Sequence, residues 1–373
     1  MTDVIVIGGG IVGSAATYRL ARSGLKVTLI DRHDQGQATA AGAGIISPGT
    51  SFRPPAPFYP LAAKAVEFYP TLVEQLAEDG ETEIGYETVG ALFVATNESE
   101  MTRLDEILNI AEQRHAAGVQ GIGTVSRVDT QQAKELFPAI GDIQGGIYVP
   151  GSARMNGMLM RDALQRAAQK HGARVLQGDA RPVRHGDQVA YVDVDGQKLT
   201  ADALVIAGGA WSASLARMLD IHVPVYPQRG QILHLEIPHV DTSRWPIVLG
   251  FHSHYILTFP SNRVVAGATR EDHAGYDYRM TAGGIHEALS EALRLAPGLE
   301  RATLRDVKIG FRPASPDHLP ILGQAPGLRN VWLATGHGAS GLQVGPYSGA
   351  VIADLVRGEA PGVDLSPFGP DRF

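Results

Sequence analysis

The chain of 373 residues contains no cysteine. That excludes disulfides, thiolate metal sites and any prosthetic group tethered through a thioether. Positive charge is not in surplus either. Thirty-two Lys and Arg stand against 39 Asp and Glu, for a net charge of -7, and no basic run marks a nucleic-acid surface. No segment approaches the roughly 20 apolar residues of a membrane span. Met1-Thr2-Asp3 followed by Val4 to Ile7 lacks the basic region and long apolar stretch of a signal peptide. The chain therefore reads as cytoplasmic, with peripheral membrane contact and a homo-oligomer left open. An acidic protein holds an anionic substrate only through a local cation, so single arginines carry weight.

What is present is ordinary for a globular protein: 44% hydrophobic and 19% charged residues. The length exceeds one compact core and implies two domains. Val4-Ile5-Val6-Ile7 is a continuous β-branched run, as in a strand buried on both faces of a parallel sheet. Gly8-Gly9-Gly10-Ile11-Val12-Gly13 follows, then a helical pattern ending near Gly24 and a second strand closing on Asp31. Gly8 permits the tight turn, Gly10 lets backbone approach a pyrophosphate, and Gly13 lets helix and strand pack closely. The helix N-terminus offers N–H groups to phosphate, and Asp31 stands where a carboxylate accepts ribose hydroxyls. This GxGxxG unit binds a dinucleotide but does not separate NAD from FAD.

Residues 35–60 are rich in Gly, Ala and Pro, which suits a linker or a loop approaching a ligand. Helices are expected over Phe58–Gly80, Glu98–Ala117, Asn156–His171, Gly284–Leu295 and from about Pro346 to Arg357. Strands are expected over Glu87–Thr96, Arg174–Leu176, Ala203–Ala207 and Val331–Thr335, with turns at Asp195-Gly196 and Ser261-Asn262. The expected fold class is α/β: a Rossmann-like dinucleotide-binding domain with an inserted antiparallel-sheet substrate domain of α+β type. The expected boundaries are 1–85, 150–218 and 305–373 for the first, and 86–149 and 219–304 for the second.

The glycine fingerprint, Ala38-Thr39-Ala40-Ala41-Gly42-Ala43-Gly44-Ile45-Ile46, Val205-Ile206-Ala207-Gly208-Gly209-Ala210-Trp211, and the ending from Phe311-Arg312-Pro313 through Pro346 occur in that order. In this order they resemble the D-amino-acid oxidase superfamily of flavoenzymes, which includes glycine oxidase, sarcosine oxidase and D-amino-acid dehydrogenase. The resemblance spans essentially the whole chain. It implies FAD held without a covalent link, with contacts at Ile11, Val12, Asp31, Arg32, Ala38, Thr39, Ala43, Gly44 and Ile45, at Gly208, and near Arg181.

It also gives meaning to Gly336-His337-Gly338-Ala339-Ser340-Gly341-Leu342-Gln343, a glycine turn whose N–H groups and helix dipole can stabilise negative charge on a reduced flavin. Arg312, stiffened by Pro313, is the candidate for the substrate carboxylate, since a guanidinium fork matches a carboxylate by two parallel hydrogen bonds. Tyr255 is a candidate second donor, and His337 adjoins the flavin turn. His252 and His254 share one strand face and read as pocket lining, with no third metal ligand in view. Where some relatives carry an arginine beside the flavin loop, this chain has Ala339, which counts against a substrate needing a second cation.

The activity implied is oxidative deamination of a small amino acid, most readily a D-amino acid. Hydride passes from Cα to flavin N5, and the imino acid formed hydrolyses to a keto acid. Oxygen or a quinone takes the electrons. Glycine, sarcosine or another secondary amine such as proline are the alternative substrates. A NAD-dependent dehydrogenase and a non-catalytic electron-transfer flavin subunit are the alternative classes.

Overall fold

A computed structural model describes residues 3–47 and 55–373. Its first sheet has six strands in the order Ile321–Gln324, Val331–Thr335, Ala203–Ile206, Asp3–Ile7, Lys26–Asp31 and Arg174–Gln177. All neighbours are parallel except the first pair. The β-branched opening strand is buried on both faces, as its composition requires. Val4 and Val6 pack into a helical layer, whereas Ile5 and Ile7 pack into a second core. The helical layer includes Ile11–Arg22, Phe58–Glu78, Gly157–Lys170 and Gly341–Val356. On the opposite face the cover is largely a three-stranded antiparallel meander, Ala180–His185, Gln188–Val194 and Gln197–Leu199. Its Asp195-Gly196 turn takes positive φ at both positions, 52° and 89°.

The second large sheet has eight strands: Thr303–Ala314, Tyr226–Glu236, Arg263–Gly267, Tyr255–Phe259, Ile247–Leu249, Ala91–Ala95, Gly145–Val149 and Ser126–Val128. Only Ile247–Leu249 against Ala91–Ala95 is parallel. Helices Thr130–Leu136 and Ala282–Leu295 contribute to the core on one face and Glu98–Ala116 to that on the other. Thr303–Ala314 pairs with Tyr226–Glu236 along its length. The chain therefore stays in this sheet to Ala314, past the expected boundary at 304/305. We propose the same two-domain division with that last boundary after Ala314.

Two local expectations change for physical reasons. The strand expected over Glu87–Thr96 is two strands, Tyr86–Thr88 and Ala91–Ala95, because Gly90 takes φ +79° and redirects the chain. The last helix begins at Gly341 rather than near Pro346. A proline inside a helix leaves the carbonyl four residues earlier without its N–H partner. Here that carbonyl belongs to Leu342, and it accepts the Tyr69 hydroxyl instead.

Candidate active site

The carboxyl ends of the parallel strands and the near end of the eight-stranded sheet enclose a cavity of about 420 Å³. Of the residues singled out for catalysis or cofactor binding, all but Gly13 and Arg181 line it. Gly13 acts through packing: a Cβ there would stand 1.9 Å from the Gly8 carbonyl oxygen, where helix and strand cross. Arg181 is exposed and pairs with Asp179 at 2.9 Å. Its strand neighbour Ala180, with Gly178 and Asp179, reaches the cavity in its place. Side chains alternate across a strand, so a slip of one residue turns the arginine outward.

One wall is the dinucleotide turn. Gly8 takes φ +108°, and a Cβ on it would meet the Ala207 carbonyl at 2.3 Å. The Asp31 carboxylate accepts from Gly9 N–H, from His33 N–H at 2.6 Å and from Gln37 Nε2 at 2.8 Å. Thr39 Oγ1 accepts Ile11 N–H at 3.0 Å. The segment after Asp31 is thus not a linker. Ala38–Ala41 is a short helix, Phe311 N–H donates to Gly36 at 2.8 Å, and a Cβ on Gly44 would strike Met155. Residues 48–54 of that Gly/Ala/Pro stretch lie outside the described ones.

The C-terminal wall is a turn at Gly336 to Ser340 that leads into the helix Gly341–Val356. His337 is buried, and burial lowers its pKa to about 4, so its imidazole is neutral. His337 Nε2 and Gln343 Nε2 are buried without a hydrogen-bond partner among the described residues. Buried polar atoms are rarely left so, and an unpaired one points to a ligand absent from the protein atoms alone.

The third wall comes from the eight-stranded sheet. Arg312 stands on Thr303–Ala314 opposite Gln228. Its Nη1 donates to the Thr269 carbonyl at 2.9 Å and to Gln228 Oε1 at 3.4 Å. Gly230 leaves room for the guanidinium, since a Cβ there would approach Arg312 Nη2 to 2.6 Å. Burial lowers the Arg312 pKa and raises that of Tyr255, while each group's proximity to the other opposes the shift. Arg312 therefore faces the cavity as a cation with no carboxylate partner among the described residues, and Tyr255 remains a phenol and a donor.

Two expectations fail at this wall. His252 and His254 do not line the cavity. They turn to the helix Ala282–Leu295, His252 to Glu291 at 3.0 Å and His254 to Glu287 at 3.2 Å, while Ser253 between them faces inward. A second cation is present as well. Arg270 lines the cavity, a residue hidden in the sequence because Thr269-Arg270-Glu271-Asp272 reads as a charged surface loop. Trp211 and Phe311, edge to face at 6.1 Å, also line it. Both belong to motifs that carry the family resemblance, Trp211 after Gly208-Gly209 and Phe311 before Arg312.

The DAO family model, described as FAD dependent oxidoreductase, matches residues 3–355. The chain is 40% identical over 371 residues to an uncharacterized oxidoreductase, YurR, of Bacillus subtilis, with 99% of each covered. Among solved structures it is similar to iminodiacetate oxidase from Chelativorans sp. BNC1, with 41% identity, a TM-score of 0.94 and 98% of each chain covered. It is also similar to glycine oxidase from Geobacillus kaustophilus, with 29% identity, a TM-score of 0.89 and 100% of each chain covered.

Proposed function

The chain belongs to the DAO family of FAD-dependent oxidoreductases, and on that premise we propose that it oxidises the carbon–nitrogen bond beside the carboxylate of a small glycine-derived amine. N-carboxymethyl secondary amines of the iminodiacetate kind are placed first, ahead of the D-amino acids favoured from sequence. The observation that carries this reading is Arg312, an unpaired guanidinium beside the protonated Tyr255 on the wall of one cavity. The names of the similar structures, iminodiacetate oxidase and glycine oxidase, support the choice of amine. Membership in the family sets aside the nicotinamide alternative.

The residues present fit FAD. The glycine turns at Gly8 to Gly10 and Gly336 to Gly341 bring bare backbone to the cavity, and His337 and Gln343 offer it buried polar atoms with no protein partner. When bound there, FAD supplies the acceptor for a hydride from the substrate Cα. Arg312 holds the carboxylate by charge-assisted hydrogen bonds, and Tyr255 donates a further one. This fixes which Cα–H bond faces the acceptor, so positioning provides much of the rate. The N–H groups and dipole at the start of Gly341–Val356 favour negative charge on the group they face. Burial holds His337 neutral, which keeps a second positive charge off that wall. No side chain is needed as base if the amine enters neutral. The imine product takes up water, and iminodiacetate would give glycine and glyoxylate.

Replacing Arg312 by Ala tests the reading. The variant should retain its flavin yet lose about 2–5 kcal/mol of substrate binding, a rise of roughly 30-fold or more in KM for carboxylated amines. Unchanged KM values would defeat the assignment. Anaerobic reduction of the bound flavin by D-alanine or D-proline faster than by glycine or iminodiacetate would restore the D-amino acid.

A further inference from the structure

A second cleft, of about 670 Å³, opens at the other end of the eight-stranded sheet, and it shares no lining residue with the cavity described above. The strand Tyr255–Phe259 runs between the two. Tyr255 lines the first, and Phe259, about 13 Å further along at the usual rise of a strand, lines the second. The strand Tyr86–Thr88, the start of the helix Gly157–Lys170 and the ends of three sheet strands complete the cleft. Tyr86, Leu159, Leu235, Phe259 and Pro260 make much of its lining apolar.

Arg154, Arg263 and Arg305 reach this cleft, and two of them are already neutralised. Arg154 donates to Glu87 at 2.5 Å and to the Ser243 carbonyl at 2.6 Å. Arg305 donates to Glu236 at 2.6 Å. Glu236 stands directly across the ladder from Arg263, yet its carboxylate is drawn to Arg305. Arg263 is half-buried, and among the described residues it has neither a hydrogen bond nor an ion pair. Its guanidinium lies 4.2 Å from the centre of the Phe259 ring, and that of Arg154 lies 5.4 Å from the same ring. A ring face offsets only part of the cost of drawing a cation out of water. The surroundings add no negative charge to help. Burial and then Arg154 push the Arg263 pKa down, with no carboxylate opposing them. Burial, Lys308 and Arg263 likewise hold the neighbouring His234 neutral against the pull of Asp306.

We propose that this cleft is a second ligand site, built for a monocarboxylate with an apolar body. Arg263 receives the carboxylate through its planar fork of N–H donors, and the neutral His234, on the same lining, offers a ring N–H. Phe259, Leu159 and Pro260 pack the apolar part. Glu87, Glu236 and Asp306 also line the cleft, so one free cation among them favours a single negative charge over a dianion.

The test uses the FAD-loaded protein and 2-naphthoate as the probe, with binding measured by titration calorimetry and flavin absorbance followed alongside. Arg312→Ala serves as the background, because it removes the carboxylate anchor of the first cavity. In that background 2-naphthoate should bind without changing the flavin spectrum, and the uncharged 2-naphthamide should bind about tenfold more weakly. Adding Arg263→Gln should weaken 2-naphthoate by about tenfold or more, and Arg263→Lys should recover part of the loss by restoring charge without the fork. Leu159→Glu, which leaves Arg263 in place and adds a like charge at the exposed rim, should also weaken it. No binding in the Arg312→Ala background, or binding that perturbs the flavin, would overturn the proposal. So would equal affinity for the amide, or an affinity that Arg263→Gln and Leu159→Glu both leave unchanged. Inorganic phosphate binding more tightly than 2-naphthoate would overturn it in favour of a phosphate site.

Discussion

Asp31 serves the chain's own backbone as well as any ligand. Gly9, His33 and Gln37 already donate to its two oxygens, and an ionised carboxylate has about four acceptor positions. Asp31→Ala would therefore loosen the dinucleotide turn and remove an acceptor at the same time. A loss of about 1–3 kcal/mol in FAD affinity is expected, read by titrating flavin fluorescence as it is quenched on binding. His234 makes a prediction about pH. Burial first, then the charges of Lys308 and Arg263, hold its pKa at about 4. An unfolded histidine titrates near 6.5, so the unfolded state binds more protons as pH falls below that value. The stability this neutral imidazole protects is complete above about pH 6.5 and is lost as pH falls toward 4, by up to about 1.4 kcal/mol per pH unit. His234→Gln should flatten the fall in urea midpoint between pH 7 and 4.5. His337 shifts the same way for the same reason, so a smaller slope should remain. An undiminished slope would mean that His234 does not titrate in that window.

At the scale of elements, two helices meet through glycine. The first helix, Ile11–Arg22, carries the dinucleotide turn, and the last, Gly341–Val356, carries the C-terminal turn. A Cβ on Gly349 would stand 2.4 Å from the Val12 carbonyl and 2.8 Å from the Ala16 nitrogen. Gly349→Ala must therefore push the helices apart. It should cost about 1–3 kcal/mol of stability and weaken FAD binding together. Gly283, near the start of the helix Ala282–Leu295, has nothing within 4 Å of a built Cβ. There the same change should be neutral or stabilising by up to about 1 kcal/mol. Thermal melts of the two variants, with and without FAD, separate close packing from glycine's backbone freedom. Equal melting temperatures for both would remove the packing argument. The last helix also shows how far local pattern reaches. Proline at the first helical turn is a sound reading of sequence, but Tyr69, from a distant helix, satisfies the carbonyl that Pro346 frees.

Across the whole molecule, residues from both ends of the chain and from the eight-stranded sheet line one cavity. FAD binding is thus linked to the fold, and saturating FAD at about 100 times Kd should add about 2.7 kcal/mol to stability. Asp31→Ala and Gly349→Ala should narrow the gap in Tm between FAD-free and FAD-loaded protein, whereas Arg312→Ala should leave it near wild type. An equally narrowed gap in Arg312→Ala would place that residue with the cofactor instead of the substrate. Much of this architecture is written locally. The β-branched strand, the glycine turn and the carboxylate closing the second strand specify the cradle by short-range sterics and hydrogen bonds. Asp195-Gly196 and Ser261-Asn262 likewise announce their turns. Sequence alone therefore determined the two-sheet class, the dinucleotide cradle and Arg312 as a candidate cation. Only the tertiary structure decided which charged groups converge. Arg270 joins Tyr255 and Arg312 because antiparallel strands bring their ends together, whereas Arg181 and His252 spend their donors outside the cavity. The reason is physical: strand register and facing are fixed by pairing between segments far apart in the chain, and a one-residue step along a strand reverses which side chains meet a ligand.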